Sequence, residues 1–242
     1  MCYNGPVLAD ERRIPLAQFD WMSILGAVIA LLLGLTIHEF AHAWTANRLG
    51  DPTPRWAGRV TLNPLAHLDP IGSIMFLLMV VGWAPIAWGK PVPINPGYMR
   101  WGRRGAALAT VAGPLSNLLL ALLVGLLLRL SLLIGRTAVV DALNNSRGLS
   151  ILLSSLMIYN VALAAFNLIP LPPLDGFGIL EGISPPSWEH FLGGVRRYGL
   201  WILLFLLLSG NLLGPLNPVS FLWGNIFRAF WRLVRLVSGL PG

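Results

Sequence analysis

Three ionisable residues early in the chain have the spacing of a zinc-binding motif. His38, Glu39 and His42 form the pattern His-Glu-x-x-His. On an α-helix, residues i and i+4 lie on one face, about one turn apart. Two imidazoles placed in this way can bind one zinc ion, and the adjacent glutamate can act as a general base on a water molecule. The motif therefore predicts zinc-dependent hydrolysis, with Glu39 as the catalytic residue.

A hydrolytic zinc site needs a third protein ligand and an open position for water. Asp175 is the strongest candidate, because it follows a proline-rich break at the end of an apolar helix. Asp69, His67 and Glu181 remain alternatives. Asp69 also fits a simple Asp-Pro turn, and His67 could instead line the cleft or form a hydrogen bond with a substrate.

Two asparagines in apolar helices, Asn117 and Asn167, are further candidate site residues. An amide group in such a helix must find hydrogen-bond partners. It can act as an oxyanion donor or anchor the backbone of a substrate, or it can link two helices. The sequence is compatible with both roles.

The composition is that of a polytopic membrane protein. Of the 242 residues, 55% are hydrophobic and only 11% are charged, and the mean hydropathy is +0.69. The net charge of +7 comes from cationic residues in short loops beside apolar runs. This placement favours an orientation signal in a lipid bilayer over nucleic-acid binding. The single cysteine, Cys2, excludes an intrachain disulfide and a cysteine-based metal site.

The apolar runs predict an all-α fold with four to five transmembrane helices. A polar lead is expected at 1–20, an intramembrane core at 21–214, and a basic amphipathic helix on the membrane surface at 215–242. The predicted helices of the core span about 21–46, 105–128, 150–169 and 198–213.

Residues 71–88 are apolar but short for a membrane span. The loops on both sides are cationic, with Arg55 and Arg59 before the segment and Lys90 and Arg100 after it. If both loops obey the positive-inside rule, they share the cytoplasmic side and the segment is re-entrant; otherwise it crosses once. Residues 59–62 predict a short strand, which could belong to a membrane-associated β-hairpin.

Together these motifs resemble the site-2 proteases, a family of intramembrane zinc metalloproteases, over about residues 22–182. The matching stretches are His-Glu-Phe-Ala-His at 38–42, Ala-Gly-Pro-Leu-Ser-Asn at 112–117 and Asn-Leu-Ile-Pro-Leu-Pro-Pro-Leu-Asp-Gly at 167–176. Residues 62–70 resemble the compact bacterial branch of the family, and no stretch is long enough for a PDZ-like or CBS-like domain.

The resemblance implies that His38, His42 and Asp175 bind one zinc ion, that Glu39 is catalytic and that Asn167 assists at the site. The implied function is regulated intramembrane proteolysis of transmembrane protein substrates. The implied location is a bacterial plasma membrane, with the site near the cytoplasmic side. Two other functions are compatible with the motif: a membrane zinc hydrolase of a non-peptide bond, and a non-catalytic metal-binding or metal-transport protein. Glu39 argues against transport, because a transporter needs no general base between its ligands.

Overall fold

The computed structural model describes residues 20–80, 83 and 87–239, and these residues form helices, turns and extended segments without a β-strand. The predicted polar lead lies outside the described residues, except for Asp20. The helices are α1 (Trp21–Arg48), α2 (Thr53–Trp56), α3 (Pro70–Val80), α4 (Arg103–Ile134), α5 (Arg136–Asn145), α6 (Arg147–Asn167), α7 (Asp175–Ile183), α8 (Glu189–Leu208), α9 (Gly210–Leu213) and α10 (Pro218–Ser238).

Among the described residues, four helical segments are long and apolar enough to cross a membrane, and the protein is therefore an integral membrane protein. They are Trp21–Arg48, Arg103–Ile134, Arg147–Asn167 and Pro186–Leu208. All four were expected from the apolar runs, but the last begins before its predicted start at residue 198 and ends before residue 213. Arg196 and Arg197 lie within this helix, and their charges interrupt the apolar pattern from which a start at residue 198 was predicted.

Helices α1, α4 and α6 pack against one another and form the centre of the bundle. Small residues line their contacts, and Ala30, Ala43 and Ala164 are fully buried. At Gly34, an added Cβ would lie 2.7 Å from Asn160 Oδ1 and 2.9 Å from a methyl carbon of Leu163. Lipid supplies no hydrophobic force between helices, so close backbone approach and polar contacts stabilise such a bundle.

Helix α10 forms where the basic amphipathic helix was predicted, but its apolar face contacts protein. Val234 is fully buried in a cluster that includes Val124 and Met157, and Phe227 and Trp231 pack against the same cluster. These contacts hold α10 along α4 and α6, whereas the sequence pattern predicted that its apolar face lies on the membrane surface. An aromatic stripe is equally compatible with lipid and with a neighbouring helix, so the pattern alone did not distinguish them.

The strand predicted at residues 59–62 is not present. The amide of Thr61 donates to the carbonyl oxygen of Arg59 at 2.9 Å, and the amide of Arg59 donates to that of Pro54 at 2.8 Å. These hydrogen bonds form a turn. They use backbone groups that, in a strand, would pair with a neighbouring strand.

The two ends of the apolar segment at 71–88 lie together in the structure. The amide of Lys90 donates to the carbonyl oxygen of His67 at 2.8 Å. Helix α3 has only 11 residues, which span about 16 Å, roughly half of the hydrocarbon core. Residues 81, 82 and 84–86 are outside the described part of the segment. The adjacent ends favour the re-entrant alternative.

Candidate metal centre

The two histidines of the motif project from α1 toward α4. Both are buried, with 6% of His38 and 5% of His42 exposed. They face α4 at Gly113, where an added Cβ would collide with His42 Nε2 and His38 Cε1. Gly113 therefore gives the imidazoles the space that any larger residue would occupy.

Asp175 is brought to the histidines by the break between α6 and α7. Residues 168–174 are not helical, and Asp175 is the first residue of α7. Ile169 and Leu174 in the break are buried against Leu203 of α8 and Val219 of α10. Irregular backbone at membrane depth is tolerated where protein covers it in this way.

The three predicted ligands converge on one point. His38 Nε2 lies 3.0 Å from Asp175 Oδ2, and His42 Nε2 lies 3.4 Å from Asp175 Oδ1. The two Nε2 atoms are 3.0 Å apart. The imidazole rings are perpendicular, with centroids separated by 4.5 Å.

The other ring nitrogens of the histidines are held by acceptors on α4. His38 Nδ1 lies 2.7 Å from Asn117 Oδ1, and His42 Nδ1 lies 2.9 Å from the carbonyl oxygen of Ala109. The orientation of the Asn117 amide is set by its nitrogen, which donates to the Gly34 carbonyl and to Asn160 Oδ1, both at 2.9 Å. Each Nδ1 is therefore the protonated donor, and each Nε2 carries a lone pair.

This arrangement fits a bound cation. Two Nε2 lone pairs and a carboxylate face one another at 3.0 to 3.4 Å, and Asp175 Oδ2 is buried without a hydrogen-bond donor. Such electron-rich atoms repel unless a proton or a metal cation lies between them. Two imidazole nitrogens and one carboxylate oxygen are a ligand set that catalytic zinc uses, with a further position left open.

Glu39 lies beside this centre and is itself buried, with 9% exposed. Its Oε2 lies 3.9 Å from Arg59 Nη2. Burial lowers the pKa of Arg59 below its ordinary value, and the Glu39 carboxylate opposes that shift. The guanidinium stays charged, because arginine is not deprotonated in proteins.

The remaining candidates have partners away from the ligand cluster. Asp69 Oδ1 accepts a hydrogen bond from the Gly72 amide at 2.8 Å, as in a turn at the start of α3. His67 is fully buried, and its Nε2 lies 2.8 Å from the Thr61 carbonyl oxygen. Glu181 pairs with Arg196. The amide nitrogen of Asn167 donates to the Leu163 carbonyl in the same helix at 3.0 Å.

In the described part of the chain, one group of three His, Cys, Asp or Glu side chains could hold a metal ion, and it consists of His38, His42 and Asp175.

Two residues around the centre were missed by the sequence reasoning. Asn160 was detectable as a polar residue in an apolar helix, by the same criterion that singled out Asn117. Arg59 had a visible charge, but it was interpreted only as an orientation signal. Its approach to Glu39 depends on how the loop folds back on α1.

Comparison with known proteins gives several relatives. The chain is 38% identical over 182 residues to YwhC of Bacillus subtilis, named as a zinc metalloprotease, and the alignment covers 75% of this chain and 80% of that protein. It is 32% identical over 209 residues to Rip2 of Mycobacterium tuberculosis H37Rv, which has the same description, covering 86% of this chain and 75% of Rip2. Rip2 of Mycolicibacterium smegmatis is 31% identical over 208 residues, covering 85% and 75%.

No protein-family model and no solved structure matches the chain. The sequence identity and coverage of the relatives are sufficient to assign the chain to their family. A zinc metalloprotease family agrees with the buried His38–His42–Asp175 centre. The chain belongs to the family of zinc metalloproteases that includes YwhC and Rip2.

Proposed function

We propose that the protein is a zinc-dependent intramembrane endopeptidase of the site-2 protease type, which hydrolyses peptide bonds of membrane-spanning substrates. The observation that carries this proposal is the convergence of His38, His42 and Asp175 beside Glu39, inside a bundle of membrane-capable helices. His38 lies about 25 Å along α1 from Trp21. The site therefore belongs within the span, toward its C-terminal end.

The cationic residues at the end of the bundle nearer to the ligands support a cytoplasmic location for the site. Helix α1 ends at Arg48 and α4 begins at Arg103, both on the side of the bundle nearer to the ligands. The adjoining loops contain Arg55, Lys90 and Arg100. Cationic loops are retained in the cytoplasm, which supports a site near the inner face of the plasma membrane in a bacterium.

In the proposed reaction, residues of the chain would bind the metal, orient its ligands and transfer protons. His38, His42 and Asp175 would hold the zinc ion, which would supply Lewis-acid chemistry to the scissile carbonyl and to water. Glu39 takes the proton from the attacking water and later passes it to the leaving amine. Asn117 and the carbonyl of Ala109 hold the two imidazoles in the tautomer that binds metal.

The substrate must unwind before it is cleaved, since the carbonyl groups of a helix are already hydrogen-bonded and shielded. Asn167 ends α6, immediately before the break that leads to Asp175, and its side chain is half-buried. We assign it a contact with the unwound substrate or with the developing oxyanion. The hydrogen bonds of Asn117 and the complete burial of His67 favour positioning roles for these two residues.

The proposal is tested by measuring bound zinc and cleavage of single-span membrane proteins with protein purified in detergent. Glu39→Gln should retain zinc and lose about 100- to 10,000-fold in cleavage rate, the usual contribution of a general base. His38→Ala and Asp175→Ala should lose zinc. Asp69→Ala is the matched control for the third ligand and should retain it.

Two results would contradict the proposal. Unchanged cleavage by Glu39→Gln would exclude this residue as the base. Zinc binding at wild-type affinity in Asp175→Ala would exclude Asp175 as a ligand. Mapping the cleaved bond by mass spectrometry adds an independent check. If, in every substrate tested, the cleaved bond lies outside the membrane-spanning segment, intramembrane cleavage is excluded.

A further inference from the structure

Arg59 is a buried cation next to the proposed general base. Its side chain is 3% exposed and that of Glu39 is 12% exposed, with 3.9 Å between Nη2 and Oε2. Of the described residues, Arg59 is the one whose cationic group lies within ion-pair distance of Glu39. A buried guanidinium is costly unless an anion and hydrogen-bond acceptors compensate for its lost hydration.

The position of this guanidinium is set by two separate segments of backbone. Nη1 donates to the carbonyl oxygen of Ala66, before α3, and Nη2 donates to that of Lys90, after the apolar segment. The Arg59 backbone is itself fixed by the hydrogen bond to Pro54. The charge is therefore held in place and does not depend on a flexible side chain finding its partner.

Hydrogen bonding to two carbonyl groups does not by itself require a charge. Two carbonyl acceptors leave the net positive charge of Arg59 uncompensated, and its buried Nε has no hydrogen-bond partner. The Glu39 carboxylate supplies the compensating anion. The nearby carboxylate therefore accounts for a buried arginine at this position of the loop beside α1.

We propose that Arg59 is a positioning residue for Glu39. Its guanidinium attracts Oε2, so that Oε1 is the atom presented to the attacking water. The same guanidinium joins Glu39 to the backbone at Lys90, so the base is tied to the loop that follows the apolar segment. The inference rests on the proposed function, because it assigns a role in the reaction of that same site.

The test compares Arg59→Gln and Arg59→Lys with wild type for bound zinc, melting temperature, KM and kcat. Arg59→Gln should retain zinc and KM while kcat falls about 10- to 100-fold, as expected for a misplaced base. Arg59→Lys keeps a charge near Glu39 but cannot serve both carbonyl groups, and it should recover at least part of kcat. Arg103→Gln is the matched control, since Arg103 also donates to a backbone carbonyl, that of Glu181 at 2.7 Å, and its kcat should be unchanged.

A purely structural clamp gives a different result. In that case Arg59→Lys is as impaired as Arg59→Gln, or the loss is confined to KM and melting temperature, and either outcome overturns the inference. If Arg59→Gln does not fold, the kcat of Arg59→Lys is compared with that of Glu39→Gln. A higher kcat in Arg59→Lys, at unchanged KM, supports the positioning role. An equal kcat in the two variants overturns it. Wild-type kcat in Arg59→Gln overturns this inference alone, whereas wild-type cleavage by Glu39→Gln overturns the proposed function.

Discussion

At the scale of single residues, the metal centre depends on groups that do not contact the ion. The amide nitrogen of Asn117 is committed to Gly34 and Asn160, so its oxygen must face His38. That oxygen then sets which nitrogen of His38 is protonated. One residue thus links α1, α4 and α6 and prepares a ligand, which accounts for a polar side chain in an otherwise apolar helix.

Replacing Asn117 with leucine should weaken zinc binding by about 10- to 100-fold, the usual effect of losing such a partner of a ligating histidine. The measurement is competition with a zinc chelator. Asn225→Leu is the control, because the hydrogen bonds of the Asn225 side chain stay within its own helix: it donates to the Phe221 carbonyl at 2.9 Å and accepts from Arg228 at 2.9 Å. Equal zinc affinity in Asn117→Leu and wild type would contradict the assigned role.

At the scale of elements, three helix features assemble the site: the motif of α1, the bare backbone of α4 at Gly113, and the start of α7. Helix α4 also contains Pro114, which lacks the amide hydrogen that would continue the hydrogen-bond ladder. In a regular helix that hydrogen would bond to the Thr110 carbonyl, and the neighbouring Ala109 carbonyl accepts the hydrogen bond from His42. The proline of α4 and the break before α7 therefore both lie close to the proposed ligands.

Gly113→Ala is expected to abolish zinc binding, because the methyl group would occupy the space of the His42 and His38 rings. Bound zinc and cleavage should fall together while the helical circular dichroism signal is retained. Gly148→Ala is the matched control in α6, since no atom lies within 4 Å of its added Cβ. Full zinc occupancy in Gly113→Ala would contradict the close contact between Gly113 of α4 and the two histidines of α1.

At the scale of the whole molecule, the membrane-capable helices surround the site with lipid on the outside and protein within. The loops that flank the segment at 71–88 meet at the His67–Lys90 hydrogen bond. Helix α10 extends the bundle by packing its aromatic face on α4 and α6, with Arg129 donating to the Leu236 carbonyl near its end at 3.0 Å. The proposed reaction would therefore take place inside the bundle, toward the side where α1 ends and α4 begins.

The re-entrant arrangement predicts that both cationic loops are accessible from one side. In a Cys2→Ser background, single cysteines at the exposed positions Ala57 and Arg100 should react with a membrane-impermeant maleimide from the same side. A cysteine at the exposed position Asn144, at the opposite end of the bundle, should react from the other side. Labelling of the first two positions from opposite sides would show that the segment crosses the membrane.

The sequence alone was enough to predict features that depend on local spacing. The His-Glu-x-x-His motif, the membrane-capable helices and the break before Asp175 all follow from short-range periodicity, apolar length and proline placement. The helix at the C-terminal end was predicted for the same reason. Boundaries were less accurate where charged residues continue a helix, as at Arg196 in α8.

Only the tertiary structure decided features that join distant parts of the chain. It brought Asp175, and not Asp69, His67 or Glu181, to the two histidines. It also paired Asn117 with His38, placed Arg59 beside Glu39, and turned the aromatic face of α10 toward α4 and α6. Each of these contacts depends on which surfaces meet when helices far apart in sequence pack together, and the period of a single helix carries no information about its neighbour.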